Sequence, residues 1–222
     1  WGNNGRQWYH AWFDPIAPST SAPFDCGSHG THTMGIMCGR NTQSGDTVGV
    51  APDAYWMAAG VTDCPGASYP SMNIASYQWA MVPDTNATTL NMPYVICCSW
   101  QDPTVTGTSQ CISIYVPTLN ALEAAGIAVC FSAGNSGSGA STITPPKNIN
   151  TDSVNVFCVG AVDGNTSGYP IASFSSRGPS ICGGTGTLLI KPEVSAPGVN
   201  VRSSLPNNSY GNNSGTSMAS PH

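Results

Sequence analysis

Charged side chains are scarce in this sequence, since Asp, Glu, Lys and Arg together make up 8% of its 222 residues. An ordinary soluble domain has about 25%. The net charge of −5 and the lack of a basic cluster exclude the electrostatic footprint of a nucleic-acid-binding protein. No stretch approaches about 18 consecutive apolar residues, so the sequence predicts no membrane-spanning helix.

The nine cysteines include no C-x-x-C pair, which excludes the usual ligand spacing of a structural zinc site. Two interpretations remain open: disulfides of a secreted protein, or small buried hydrophobic residues. Cys97, Cys98, Cys130 and Cys158 lie inside apolar runs, which favours burial for these four. The odd number leaves at least one thiol unpaired within the chain or paired outside it. Low charge and abundant cysteine predict a secreted protein with at least one disulfide bond.

Apolar runs alternate with stretches of helical spacing along the chain. Strands are predicted at 55–61, 93–99, 127–132 and 153–160, and helices at 71–81 and 113–125. The second helix should end at Gly126, a natural C-cap. This alternation predicts an α/β fold, with a parallel sheet covered by helices on both faces and its active site at the carboxyl ends of the strands. No linker divides residues 1–222, which we interpret as one domain.

The first motif that could carry chemistry is Ser-His-Gly-Thr-His-Thr at residues 28–33. His29 and His32 are three apart, so on a helix they share a side, and the small residues around them let a neighbour approach closely. A satisfied core pair or part of a metal site would give the same pattern. No third ligand is evident.

The second motif places Asn135 between glycines just after the predicted strand 127–132. An amide at this position can donate to a developing oxyanion. An ordinary turn uses the same residue types.

The third motif is Gly-Thr-Ser-Met-Ala at residues 215–219. It puts Ser217 at a helix N-terminus, where the helix dipole and free N–H groups favour an oxyanion. A plain serine N-cap is the alternative. The motif is not the Gly-x-Ser-x-Gly elbow of an α/β-hydrolase, and those enzymes place His after Ser.

Together and in this order, the three motifs resemble the subtilisin-like serine proteases, in particular their bacillopeptidase F-like branch. Further blocks carry the resemblance at residues 49–52, 99–100, 173–175 and 191–204. The resemblance implies a three-layer, doubly wound, mostly parallel sheet. It also implies that His29 is the general base, Ser217 the nucleophile and Asn135 the side chain of the oxyanion hole.

By the same resemblance, Ser99, Trp100 and Gln101 pair with an extended substrate backbone, and Ser132, Ala133 and Gly134 form the facing wall of the pocket. The family usually has glycines where this chain has Gln101 and the two residues after it. His32 looks structural in the family.

The resemblance implies protein or peptide substrates, a propeptide, a monomeric enzyme and no metal or organic cofactor in the chemistry. Calcium often stabilises the family, but the sequence identifies no ligands for it. The family cleaves esters as a side activity.

The family's catalytic Asp follows an apolar strand, in an Asp-Thr/Ser-Gly context, some tens of residues before the His. Neither Asp14 nor Asp25 fits, because neither follows a buried strand or precedes the required residues. Asp25 is expected to flank the substrate cleft. We therefore expect the Asp upstream of this chain, the last core helices downstream, and no activity from residues 1–222 alone. The alternative is a secreted binding module on a degenerate, non-catalytic fold.

Overall fold

Four parallel strands form the central sheet. The computed structural model describes residues 11–16, 23–61, 69–89, 91–102, 111, 114–149 and 156–222. The strands are β3 (Val95–Cys98), β4 (Ala128–Ser132), β5 (Phe157–Val162) and β6 (Val194–Pro197), and they lie side by side in chain order. The predicted parallel sheet is confirmed.

Helices cover both faces of this sheet, as predicted. On one face, α2 (Pro70–Met81) and α3 (Val116–Ala124) bury a core in which Leu119 and Leu122 of α3 pack with Phe131 of β4. On the other face, α4 (Thr216–Ala219) packs Ala219 against β5. Apolar residues therefore run continuously along β4 and β5, because neither face meets water.

Most predicted elements are present but shorter. The helix predicted at 113–125 covers Val116–Ala124, and it ends before Gly126, whose φ of +80° fits the predicted glycine C-cap. The strand predicted at 153–160 is Phe157–Val162, and residues 150–155 lie outside the described residues. Within the described ranges, no helix is both long and apolar enough to cross a bilayer.

A separate, two-stranded parallel sheet is also present. It pairs β1 (Trp12–Phe13) with β2 (Ala58–Ala59). The strand predicted at 55–61 is thus only two residues long in the structure. β1 immediately precedes Asp14, but both of its residues are only half-buried, so Asp14 does not follow a buried strand. A two-residue strand is too short to leave a periodic pattern in the sequence.

The hairpin of β7 (Val201–Leu205) and β8 (Ser209–Asn213) packs against helix α1 (His29–Cys38). The approach is close, since a Cβ at Gly35 would lie 2.9 Å from the backbone nitrogen of Ser204. The Ser203 hydroxyl donates to the carbonyl oxygen of His32 at 2.8 Å. Because β8 leads directly into α4, this hairpin connects the helix that carries His29 to the helix that carries Ser217.

The described cysteines include both a disulfide and buried free thiols, the two possibilities that the sequence left open. Cys111 and Cys182 form a disulfide, whereas Cys98 and Cys158 are free and buried in the core as predicted. Cys97 and Cys130 are only half-buried, which corrects the prediction. They are paired in register on β3 and β4, on the face covered by the short helix α4.

Candidate active site

The two predicted pocket walls lie at the same edge of the central sheet. One wall follows β3 and consists of Ser99, Trp100 and Gln101. The other begins at the last residue of β4 and consists of Ser132, Ala133 and Gly134. The two strands are parallel neighbours, so their carboxyl ends meet.

Ser217 is the second residue of α4 and is half-buried at this edge. Its hydroxyl oxygen lies 3.5 Å from the carbonyl oxygen of Ser99. In return, the Ser99 hydroxyl donates to the carbonyl oxygen of Ser217 at 3.0 Å. The nucleophile candidate is therefore anchored to the first residue of the predicted substrate wall.

Asn135 is exposed and is oriented by the residue before Ser217. Its Oδ1 accepts two hydrogen bonds from Thr216, one from the backbone N–H and one from the hydroxyl, each at 2.9 Å. Nδ2 then points towards Gly215 and has no hydrogen-bond partner among the described residues. The amide thus presents a free donor beside the first turn of α4.

Thr216 is fully buried and was not singled out by the sequence reasoning. Besides orienting Asn135, its hydroxyl oxygen accepts from the backbone N–H of Gly134 at 3.1 Å. One side chain therefore ties the turn after β4 to the first turn of α4. The motif Gly-Thr-Ser-Met-Ala contained the residue, but nothing in its spacing indicated this double contact.

Gly134 can only be glycine in this backbone. Its φ is +109°, and a Cβ would lie 2.6 Å from the Thr144 hydroxyl oxygen and 2.9 Å from that of Ser176. The turn after β4 is consequently packed tightly enough to fix the position of Asn135.

Trp100 contributes differently from its neighbours in the predicted wall. Its ring packs with Tyr77, Tyr115 and Phe131, at centroid distances of 6.4, 5.7 and 5.8 Å. The ring of Trp100 is thus engaged with the core beside β4, whereas Gln101 is exposed.

The two histidines of the first motif lie in different environments. His29 is half-buried at the start of α1, which packs against α4, and its ring makes no hydrogen bond to any described residue. His32 is fully buried, and its Nε2 lies 3.1 Å from the carbonyl oxygen of Gly211. Burial lowers the pKa of His32, so this ring is held neutral in the core.

Two carboxylates lie near α1. Asp25 accepts hydrogen bonds from the backbone and hydroxyl of Thr31, at 2.8 and 2.6 Å, and so fixes the first turn of the helix. Asp14 is buried and accepts from the backbone N–H of Ile16 at 2.9 Å. Both line a cavity of about 490 Å³ between α1 and β2, whose lining includes neither His29 nor Ser217.

Across the part of the chain that the structure describes, no group of three or more His, Cys, Asp or Glu side chains is placed to hold a metal ion. No calcium ligands are therefore assigned.

The comparisons with known proteins agree on one family. The family model described as the subtilase family matches residues 4–222. Bacillopeptidase F of Bacillus subtilis is 36% identical over 219 residues, which cover 95% of this chain and 14% of that protein. Subtilisin E of the same organism is 35% identical over 211 residues, covering 93% of this chain and 46% of that protein.

Solved structures give the same result. Sphericase superposes with a TM-score of 0.74 at 28% identity, covering 94% of this chain and 66% of that one. The S41 psychrophilic protease gives a TM-score of 0.72 at 30% identity, with 92% and 63% covered. The chain therefore spans less than half of the length of these two curated relatives. Nearly all of its own residues are included in each match. The chain belongs to the subtilase family of serine proteases.

Proposed function

We propose that this chain carries most of the active site of a serine endopeptidase, with Ser217 as nucleophile and His29 as general base. The observation that carries the proposal is the link from Asn135 through Thr216 to Ser217, which places a free amide donor next to the candidate nucleophile. A turn or a helix cap alone would not need that donor.

The reaction is acyl transfer. The Ser217 hydroxyl attacks the carbonyl carbon of the scissile peptide bond while His29 takes its proton. The oxyanion that forms accepts hydrogen bonds from Asn135 Nδ2 and from the backbone N–H of Ser217. His29 then protonates the leaving amine. In the second half of the reaction, His29 takes a proton from water, which attacks the acyl-enzyme, and returns it to the Ser217 oxygen as the product leaves.

The substrate lies as an added strand between the two pocket walls. Ser99 and Gln101 offer backbone groups on one side, and the turn 132–134 closes the other. Gln101 replaces a glycine that is usual in the family, so its side chain narrows or lines the pocket. No metal or organic cofactor enters this chemistry; calcium, if bound, is structural.

The third member of the triad comes, in our proposal, from a segment outside these 222 residues. The lack of any hydrogen bond between His29 and the described residues supports this placement, as does the engagement of Asp25 with Thr31. Asp14 is the internal alternative, because it is buried and lines the cavity beside α1. Replacing Asp14 by Asn in the complete protein decides between them: unchanged turnover supports an external Asp.

We further propose that the protein is secreted, acts on proteins or peptides as a monomer, and is made with a propeptide. The disulfide between Cys111 and Cys182 supports an oxidising compartment.

Hydrolysis of a blocked tetrapeptide p-nitroanilide by the complete protein tests the proposal. We expect turnover that is abolished in Ser217→Ala and retained in the matched control Ser214→Ala, an exposed serine three residues earlier. If neither the unmodified protein nor the control cleaves the substrate, the proposal is wrong and the binding-module alternative stands.

A further inference from the structure

The core contains a buried lysine, Lys147, that the proposed mechanism does not use. Lys147 follows β4 by fifteen residues in the chain and is fully buried, with 0% of its surface exposed. Its Nζ donates to the carbonyl oxygen of Trp100 at 3.0 Å, and among the described residues this is its only hydrogen bond. A buried lysine with no carboxylate partner is rare, because the charge is costly to bury.

The contrast with Lys191 makes this clear. Lys191 is also buried, but its Nζ donates both to the Val156 carbonyl and to the carboxylate of Glu193. That charge is paired inside the protein. Among the described residues, Lys147 has one neutral acceptor for up to three N–H groups.

Among the described residues, the titratable groups that act electrostatically on Lys147 are two thiols. Cys98 on β3 and Cys158 on β5 are its electrostatic neighbours, and burial raises the pKa of each thiol to about 12, so both are neutral. Asp102, two residues beyond Trp100, accepts a hydrogen bond from the Tyr115 hydroxyl at 2.8 Å. Desolvation accordingly lowers the pKa of Lys147 to about 7.

The contact of Lys147 determines how the substrate wall is oriented. We define the substrate-pairing segment as Ser99, Trp100 and Gln101. In extended backbone, successive carbonyls point to opposite sides. The Trp100 carbonyl points inwards to Lys147, and the Ser99 carbonyl points to the Ser217 hydroxyl, at 3.5 Å. Holding one carbonyl inside thus presents the flanking backbone groups to the cleft.

We propose that Lys147 is a positioning residue that holds the substrate-pairing segment in register through the Trp100 carbonyl, and that its protonation loosens this segment and weakens peptide binding. The neutral amine carries no charge and has only one N–H group beyond the one that the Trp100 carbonyl accepts. The ammonium form brings further donors and a charge that forms no ion pair with a described carboxylate, so the segment and the core beside it must rearrange. The inference rests on the proposed function, since it concerns substrate binding to that site.

The test compares two substrates on the complete protein. A blocked tetrapeptide p-nitroanilide pairs with the segment, whereas p-nitrophenyl acetate is too short to do so. For the unmodified protein, we expect the KM for the tetrapeptide to rise as the pH falls through about 7, the pKa of Lys147, and the KM for the acetate to stay constant. A tetrapeptide KM that is flat across this range overturns the proposal without any variant having to fold.

Three variants sharpen the test. Lys147→Met keeps the alkyl chain and removes the donor; we expect a KM for the tetrapeptide about tenfold higher, the size of one net hydrogen bond, with kcat nearly unchanged and no pH dependence of KM near 7. Lys147→Gln keeps an uncharged donor and should restore much of the affinity, also without the pH dependence. Lys191→Met, the matched control, should lower stability but keep the pH dependence.

Labelling of Ser217 by a fluorophosphonate separates the two possible failures. Labelling of every variant together with a KM that Lys147→Met leaves unchanged overturns the role of Lys147 and leaves the proposed function standing. An unmodified protein that neither labels nor cleaves overturns the proposed function, and with it this inference.

Discussion

The two halves of the candidate site are held very differently. On the nucleophile half, Ser217, Asn135 and Ser99 are joined by hydrogen bonds through Thr216 and the backbone. On the base half, His29 starts α1 and its ring has no hydrogen-bond partner in the described parts of the chain. The proposed nucleophile and oxyanion donor are thus positioned by hydrogen bonds between described residues, whereas the proposed base needs a further group to fix the tautomer and orientation of its imidazole.

The largest expected effect comes from removing either half completely. Ser217→Ala and His29→Ala should each lower kcat by about a million-fold, the size that such losses have in subtilisin, a relative of this chain. The double variant should be no worse than either single one, because the two groups act as a unit. Peptide hydrolysis by the complete protein measures this. Additive losses would show that the halves work independently.

Loss of the oxyanion donor should have the next largest effect. In the proposed mechanism Nδ2 bonds only to the transition state, so Asn135→Ala should lower kcat by roughly 10² to 10³ with little change in KM. Asn135→Asp keeps an acceptor for Thr216 but replaces the donor by a negative charge beside the oxyanion, so it should be impaired at least as much. A loss confined to KM would mean that the residue binds the substrate.

Thr216→Val tests whether the nucleophile half depends on its buried hydroxyl. The change preserves the shape but leaves the N–H of Gly134 without its acceptor, which costs about 1–3 kcal/mol. We expect kcat to fall about tenfold and the unfolding free energy to drop. Thr216→Ser, which keeps the hydroxyl, is the control. Equal kcat values for the Val and Ser variants would contradict the positioning role.

The smallest expected effects are in the pH dependence of stability. They occur in a different pH range for each half of the site, because a different buried group titrates beside each. The pKa of Lys147, beside the nucleophile half, is about 7 in the folded protein against an ordinary 10.5. Above pH 7 the unfolded chain therefore holds a proton that the folded one lacks, and stability rises with pH, by up to about 1.4 kcal/mol per unit.

His32, beside the base half, has its folded pKa lowered below 6.5, so the stability that it contributes is lost as the pH falls below that value. Urea unfolding of the complete protein at several pH values separates the two groups. Lys147→Met should flatten the rise of the unfolding free energy between pH 7 and 8.5. His32→Gln should change the unfolding free energy only at acidic pH. A rise above pH 7 that persists in Lys147→Met would contradict the assignment.

The sequence predicted the nucleophile half better than the base half. Long apolar runs made β3, β4 and β5 visible, and helical spacing with a terminal glycine marked α3. The short pair of β1 and β2 left no periodic signal, so the strand before Asp14 was missed. The hairpin of β7 and β8 is rich in Ser and Asn, without the apolar alternation that predicts a strand.

Individual roles depended on contacts between residues far apart in the chain. Thr216 bonds to Gly134 and Asn135, more than eighty residues earlier, and Lys147 bonds to Trp100, 47 residues earlier. Residue type and local spacing do not encode such pairs. A lysine in particular is predicted to lie at the surface, because lysines are rarely buried.

The most direct test of the central claim is where a fluorophosphonate attaches to the complete protein. Serine hydrolase probes react only with a hydroxyl that a base activates next to an oxyanion hole. The proposal predicts one adduct per molecule, mapped by peptide mass spectrometry to Ser217, and no adduct in the His29→Ala variant. An adduct on a different serine, or labelling at Ser217 that His29→Ala leaves at the same rate, would contradict it.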